Sequence, residues 1–177
     1  LQKEIGKKIQ FDLITSFAMF YDVNDPNSFC NDIYKLLKKD GIWILELSYF
    51  PLMLKNLTYD QICHEHVTYY TLAVFKKIIE KHNLKIIDAS LNEINGGSIE
   101  IRCVKKNSKF EVNKKKINAI IADERKINEK SYENFNKRIN KVRTLLKMFL
   151  DLNSKKKIIG YGASTKGNIV LNHCKIK

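Results

Sequence analysis

The chain opens with two short apolar runs. The first, FDLITSFAMF, covers Phe11–Phe20, and the second, IWILELSYF, covers Ile42–Phe50. Continuous apolar runs of this length are typical of strands buried in a parallel sheet. They predict two neighbouring strands of an α/β fold.

The segment between these runs has the marks of a helix. Asp25 or Asn24 suits the N-cap, Pro26 suits the first turn, and Gly41 predicts the C-terminal end. The apolar positions recur at helical spacing: Phe29, Ile33, Leu36 and Leu37. The first fifty residues therefore predict the strand–helix–strand unit from which parallel α/β sheets are built.

A second helix and a hairpin are predicted next. In TLAVFKKIIEKHN the apolar residues share one helical face: Leu72, Phe75, Ile78 and Ile79. Leu84–Ile94 and Ser98–Val104 are predicted strands, and the turn signal NGG at Asn95–Gly97 separates them. We expect this hairpin to close one edge of the sheet.

From Lys105 the chain becomes polar and basic, as in a linker or the approach to a helix. Helices are predicted at Ile117–Ile127 and Tyr132–Leu152. A short strand at Ile158 and Ile159 should then lead through a glycine-rich loop into a final helix. This order predicts the beginning of a second sheet.

The charge changes this interpretation little. The 177 residues carry a formal net charge of +13 and are 44% hydrophobic. Nearly all the basic residues are lysine, whereas proteins that read bases depend on arginine. Lys, Asn and Ile share A/T-rich codons, which explains much of the excess. We therefore expect no nucleic-acid partner.

The cysteines and the apolar runs indicate a cytoplasmic protein. Cys30, Cys63, Cys103 and Cys174 are widely spaced and form no C-x-x-C pair, so neither a zinc knuckle nor a thioredoxin motif is present. Reduced thiols are the default in that compartment. No signal-peptide pattern and no apolar run of membrane-spanning length occur in the sequence, so we expect no membrane partner.

The glycine-rich stretch GYGASTKG, Gly160 to Gly167, permits two interpretations. It can be a tight strand-to-helix turn. It can also bind a phosphate or nucleotide, because a helix N-terminus presents free N–H groups and Ser164, Thr165 and Lys166 add polar atoms. It matches neither the P-loop nor, because its third glycine is displaced, the dinucleotide fingerprint.

The stretch TYDQICHEHVTYYTL, Thr58 to Leu72, concentrates groups that move protons or bind metal. His64 and His66 could form a metal pair, although no third ligand is evident. They could also be structural. General base catalysis by a neutral histidine beside Glu65 is favoured, because the stretch follows the carboxyl end of a predicted strand, where α/β proteins bind ligands. We expect no metal here.

Five stretches together resemble the SAM-dependent nucleotide-sugar C-methyltransferases. They are FDLITSFAMFYDVNDPNSF, LLKKDGIWILELSY, YDQICHEHVTYYTL, NGGSIEI and GYGASTKGN, and they occur in the family's order and roughly at its spacing. The resemblance implies a partial Rossmann-like class I methyltransferase sheet, followed by helices and the start of a second Rossmann-like domain. Residues 1–105 would be the second half of the methyltransferase domain, and residues 106–177 the start of the C-terminal substrate-binding domain.

The resemblance also implies cofactors. The family has an N-terminal zinc-binding module and a first glycine-rich SAM loop, and both would lie upstream of Leu1. We therefore expect the intact protein to bind S-adenosyl-L-methionine (SAM), this chain alone to bind it poorly and to be inactive, and zinc to occur only in the upstream module.

Site residues follow from matching positions. The resemblance implies that His66 is the catalytic base and that Glu65 lies at the sugar. The remaining positions are Ser16, Phe17 and Ala18 against SAM; Gly97 and Ser98 at the border of the site; Gly160, Tyr161, Gly162, Ser164 and Lys166 near the nucleotide; and Tyr59, Cys63 and His64 with the substrate. Cys63 departs from a tyrosine that several deoxysugar enzymes carry. Tyr59, Tyr69 or Tyr70 could compensate.

The implied function is C-methylation of a nucleotide-linked keto-deoxysugar. A ketone acidifies the neighbouring C–H, His66 removes that proton, and the resulting enolate carbon takes the methyl group. Two alternatives stay open. One is a methyltransferase of the same build that acts on another small acceptor, and the other is a binding module that holds a nucleotide without chemistry.

Overall fold

The computed structural model describes residues 9–162 and 164–176. Its centre is a mixed four-stranded sheet with the order β1-β2-β4-β3. The strands are β1 (Phe11–Phe17), β2 (Leu37–Ser48), β3 (Leu84–Asn92) and β4 (Ser98–Lys105). β1 and β2 run parallel, whereas β4 is antiparallel to both β2 and β3. The α/β class and the terminal hairpin predicted from the sequence are confirmed.

In the described residues, six α-helices surround and follow this sheet. They are α1 (Pro26–Leu36), α2 (Phe50–Asn56), α3 (Leu72–Glu80), α4 (Lys114–Glu124), α5 (Glu129–Leu152) and α6 (Thr165–Cys174). Short 3-10 turns occur at Phe20–Asp22, Tyr59–Gln61 and Ile94–Gly96. No helix of the described ranges is long and apolar enough to cross a membrane.

Helix α1 begins as predicted but ends earlier. The Asp25 carboxylate accepts hydrogen bonds from the backbone N–H groups of Asn27 and Ser28, at 3.1 and 3.0 Å. Gly41 does not end the helix: it lies inside β2. A Cβ at Gly41 would lie 2.7 Å from the carbonyl oxygen of Phe11, so the glycine is required by the close approach of β1 and not by a helix cap.

The main core lies between the sheet and helices α1 and α3. Phe20, Trp43 and Phe75 are fully buried, and their rings meet at centroid distances of 5.2–6.0 Å. Such aromatic contacts stabilise a core beyond the area that they bury. A second cluster of Leu54, Tyr59, Phe135 and Ile139 packs α5 against α2 and the 3-10 turn that follows it.

The predicted strand at Ile158 and Ile159 is wrong. Both residues are exposed and belong to an irregular segment between α5 and α6. In the described residues no strand lies beside them, and a strand without a hydrogen-bonded neighbour is not stable in water.

Candidate active site

The segment from Ile62 to Thr71, here called the HEH segment, lies beside the carboxyl ends of β1 and β2. It has little regular structure and depends on a few hydrogen bonds. The carbonyl oxygen of Tyr21 accepts from the N–H groups of both Val67 and Thr68, at 2.9 and 3.2 Å. Tyr21 follows β1 closely in the chain, so the end of that strand fixes the backbone just after His66.

His66 is half-buried against the ring of Tyr21. The two ring centroids are 4.3 Å apart, and the Tyr69 ring lies 6.1 Å away on another side. The Nδ1 atom of His66 is buried and has no hydrogen-bond partner in the described part of the chain. A histidine with an uncommitted ring nitrogen can exchange a proton with a group that reaches this nitrogen.

Asp22 and Glu65 lie near this histidine, and Glu46 lies near the Tyr21 side chain that covers it. Burial raises the pKa of Asp22, the charge of His66 lowers it, and the charge of Glu65 raises it. His66 and Glu65 therefore both lie close enough to Asp22 to influence its pKa. Glu46 is buried in β2, and its carboxylate accepts a hydrogen bond from the side-chain amide of Asn92 at 2.8 Å. The site is thus polar and acidic on the side of the sheet.

Glu65 contacts the start of α6. Its carboxylate accepts a hydrogen bond from the hydroxyl of Thr165 at 3.2 Å. Thr165 is the first residue of α6, where the helix dipole and the free N–H groups favour a negative charge. The HEH segment and the start of α6 are therefore in contact.

The end of β1 places Ser16, Phe17 and Ala18 in different surroundings. The Ser16 hydroxyl is buried and accepts a hydrogen bond from the Trp43 indole at 3.1 Å. The Phe17 side chain is 55% exposed. Ala18 has a φ of 51°, and its N–H donates to the carbonyl oxygen of Glu46 at 3.0 Å. Among these three residues, only Phe17 presents a large apolar surface to a ligand.

Two hydrogen bonds hold the NGG turn against residues 56–61, which precede the HEH segment. The Gln61 side chain donates to the carbonyl oxygen of Asn95 at 2.7 Å, and the Asn56 side chain donates to that of Gly96 at 2.8 Å. Gly97 has a φ of 131°, which favours glycine. Ser98 is buried, and its hydroxyl donates to the carbonyl oxygen of Ile94 at 2.8 Å.

The glycine-rich loop is open. Gly160, Tyr161 and Gly162 are exposed, and an added Cβ on either glycine would meet nothing within 4 Å in the described part of the chain. Ser164 is the N-cap of α6 and Lys166 is half-buried in its first turn. Ala163 lies outside the described residues. The open loop contrasts with the tight surroundings of Gly97.

The other predicted substrate residues differ in their exposure to solvent. Tyr59 is buried under α6, with its ring centroid 5.3 Å from that of His173. Cys63 is half-buried, and its charge contributes to raised pKa values at Tyr21 and Tyr69, for which burial is the larger cause. His64 is exposed. In the described ranges, no group of three His, Cys, Asp or Glu side chains is arranged to hold a metal ion.

Sequence reasoning missed four residues of this site: Tyr21, Asp22, Glu46 and Asn92. Tyr21 and Asp22 follow an apolar strand directly, which is where ligand-binding side chains of α/β proteins occur. Glu46 interrupts an otherwise apolar strand, so it was also detectable as a polar residue at a buried position. Asn92 carried no signal, because its partner is recognised only when β3 and β2 are placed in one sheet.

Two families match this chain. Residues 2–89 match a family described as "Methyltransferase domain". This match covers β1, β2 and most of β3, together with the HEH segment. Residues 93–177 match a family described as "C-methyltransferase C-terminal domain". The chain is therefore similar to a methyltransferase domain over its first half and to the C-terminal domain of C-methyltransferases over its second half.

One curated relative is the C-methyltransferase NovU of Streptomyces niveus. It is 30% identical over 167 residues, which cover 92% of this chain and 40% of NovU. The chain thus spans less than half the length of this relative.

Two solved structures align with part of this chain at low sequence identity. The N-methyltransferase NodS of Bradyrhizobium japonicum WM9 is 14% identical, with a TM-score of 0.41 over 56% of this chain and 53% of NodS. The protein BH2331 of Bacillus halodurans C-125, described as a methyltransferase, is 13% identical, with a TM-score of 0.45 over 56% of this chain and 65% of that one.

Proposed function

We propose that the protein containing this chain transfers a methyl group from SAM to a carbon atom of a nucleotide-linked keto-deoxysugar, with His66 as the general base. We also propose that residues 1–105 complete the methyltransferase domain and that residues 106–177 begin the substrate-binding domain. The observation that carries the proposal is the buried Nδ1 of His66, which lies beside the carboxyl ends of β1 and β2 and has no hydrogen-bond partner among the described residues.

The surroundings of His66 suit a base that acts next to a ketone. The Tyr21 ring covers one side of the imidazole, which limits its rotation and excludes water. The negative charge of Asp22 nearby stabilises the imidazolium that forms after proton abstraction. Burial and the charge of Asp22 raise the pKa of Tyr21, so its hydroxyl stays protonated near neutral pH.

The residues at the end of β1 fit an edge of a SAM site. Phe17 offers an exposed aromatic surface there, and the left-handed backbone at Ala18 turns the chain sharply away from the strand. When bound, SAM supplies an electrophilic methyl group. The task of this chain would be to hold the acceptor carbon beside it in line, because proximity and orientation dominate such transfers.

The glycine-rich loop supports a nucleotide as the handle of the substrate. The free N–H groups at the start of α6, together with Ser164 and Lys166, are suited to a phosphate. The contact between Thr165 and Glu65 brings this loop near the HEH segment. One extended substrate could therefore contact both motifs.

The experiment uses the full-length protein with SAM and a panel of nucleotide-linked keto-deoxysugars. Methyl transfer is measured together with deuterium uptake from D2O at the carbon next to the ketone. We expect His66→Asn to reduce both rates about 100-fold or more. His82→Ala is the matched control, since His82 lies at the far end of α3 and contacts Asn27.

Deuterium uptake isolates the proton abstraction from the methyl transfer. Near-normal uptake in His66→Asn would exclude His66 as the base. Methylation of other small acceptors, with none of the nucleotide-linked sugars turned over, would exclude the proposed substrate class.

A further inference from the structure

The last residue of α4, Glu124, is buried and carries three hydrogen bonds at a distance from the HEH motif. Its side chain belongs to a residue that is only 9% exposed. The carboxylate accepts from the hydroxyl of Tyr49 at 2.6 Å, from the N–H of Ala73 at 3.0 Å and from the N–H of Leu72. A buried carboxylate with this number of donors is fully compensated.

The backbone donors belong to the first turn of α3. The N–H groups at the start of a helix have no acceptor within the helix. The Thr71 hydroxyl accepts from Val74 at 3.3 Å, which leaves Leu72 and Ala73 to Glu124. The negative charge also suits the positive end of the helix dipole.

The third donor, Tyr49, lies at the start of the excursion that the chain makes between β2 and α3, here defined as Tyr49–Thr71. The two backbone donors lie just after the end of this excursion. Tyr49 follows β2 directly, and the chain then runs through α2 and the HEH segment before α3 begins at Leu72. Tyr49 also pairs with Tyr70 as an isolated bridge, and the N–H of Phe50 donates to the carbonyl oxygen of Tyr70 at 3.1 Å. One carboxylate therefore joins the two ends of the excursion that carries His66.

The Tyr49 hydroxyl at this junction stays protonated. Burial raises the pKa of Tyr49, and the hydrogen bond to Glu124 raises it further. Tyr49 therefore keeps its proton and donates it to the carboxylate over the physiological pH range.

We propose that Glu124 is a positioning residue: by joining Tyr49 to the start of α3, it fixes the HEH segment in the place from which His66 acts. The catalytic consequence rests on the proposed function, whereas the effect on the segment does not. Glu124 touches no reacting group. It acts through the backbone at Leu72, six residues after the histidine.

The geometry explains why an isosteric change should matter. Glu124→Gln keeps the size of the side chain but replaces one acceptor oxygen with an NH2 group, which must then face an N–H or O–H donor. A misplacement of about 1 Å far from the chemistry can cost roughly 100-fold in rate. We expect part of that loss here, since Tyr21 also holds the segment.

The test compares Glu124→Gln with Asp123→Asn in the full-length protein. Asp123 is the adjacent carboxylate; its side chain is 74% exposed and pairs with Lys126 at 2.6 Å. The measurements are kcat, KM for SAM and for the sugar nucleotide, and amide hydrogen exchange in residues 62–73 relative to β4. For Glu124→Gln we expect kcat to fall about 10-fold or more with each KM within about two-fold, and exchange in residues 62–73 to quicken selectively. Asp123→Asn should match the wild type.

Faster exchange together with lower kcat supports the proposal, and either quantity unchanged in a folded variant overturns it. Should Glu124→Gln fail to fold, Tyr49→Phe removes only one donor, and it must show the same pair of changes at smaller size. If the wild type transfers no methyl group, the proposed function fails, and the exchange measurement alone still decides whether Glu124 holds the segment.

Discussion

The hydroxyl of Thr165 donates a hydrogen bond to the carboxylate of Glu65 at 3.2 Å, although 100 residues separate them in the chain. The bond joins the HEH segment to the first turn of α6, immediately after the glycine-rich loop. The HEH segment and the glycine-rich motif, which the sequence identifies independently, are thus in contact.

This contact predicts a measurable coupling between the two motifs. Thr165→Val removes the donor and Glu65→Gln removes the charge. Because the pair is exposed, the coupling free energy should be about 1 kcal/mol at most. Urea unfolding of the two single variants and the double variant measures it in a double-mutant cycle. Strictly additive effects would show that the bond does not contribute in solution.

Substitution by alanine should destabilise the protein at one glycine and leave its stability unchanged at another. Gly97 has a φ of 131°, and a Cβ there would lie 2.6 Å from the Leu52 Cβ, so Gly97→Ala should cost at least about 2 kcal/mol of the free energy of unfolding. Gly160 has nothing within 4 Å of an added Cβ in the described residues, so Gly160→Ala should leave stability unchanged. Thermal unfolding checks both. Equal losses would contradict the difference in their surroundings.

The cysteines should differ in reactivity. Burial raises the pKa of the Cys30 thiol to about 12, so roughly one molecule in 10,000 carries the thiolate at pH 8. Cys103 and Cys174 are fully buried, and only Cys63 is half-buried. Iodoacetamide under native conditions should therefore modify Cys63 first, as read by peptide mass spectrometry. Protection of Cys63 by sugar nucleotide would support its place at the substrate, and native labelling of Cys30 would contradict the core packing.

The ring of Tyr21 should contribute more to kcat than its hydroxyl does. Tyr21→Phe keeps the ring that lies 4.3 Å from the imidazole of His66, so we expect kcat to fall by no more than about five-fold. Tyr21→Ala opens the site to water and frees the imidazole, and should cost about 100-fold. Steady-state methyl transfer by the full-length protein distinguishes them. A loss for Tyr21→Phe as large as that for Tyr21→Ala would place the hydroxyl in the chemistry.

Much of the fold was predictable because the spacing of apolar residues along a short segment indicates which of its side chains are buried. The cap at Asp25, the apolar face of α3 and the hairpin at NGG all follow from the spacing of neighbouring residues. Gly41 was misassigned for a physical reason. A glycine signals equally a helix end or a close backbone approach, and only the position of β1 distinguishes the two. The same limit explains the predicted strand at Ile158, since a strand exists only through its neighbour.

The sequence alone determined the α/β class, the order of the four sheet strands along the chain and the chemical nature of the HEH stretch, because each depends on residue type and short-range spacing. Only the tertiary structure decided which groups meet. It brought Tyr21 against His66, Thr165 to Glu65, and Glu124 to both ends of the HEH excursion. Such contacts between distant residues depend on how the sheet and helices pack, and no local pattern in the chain encodes them.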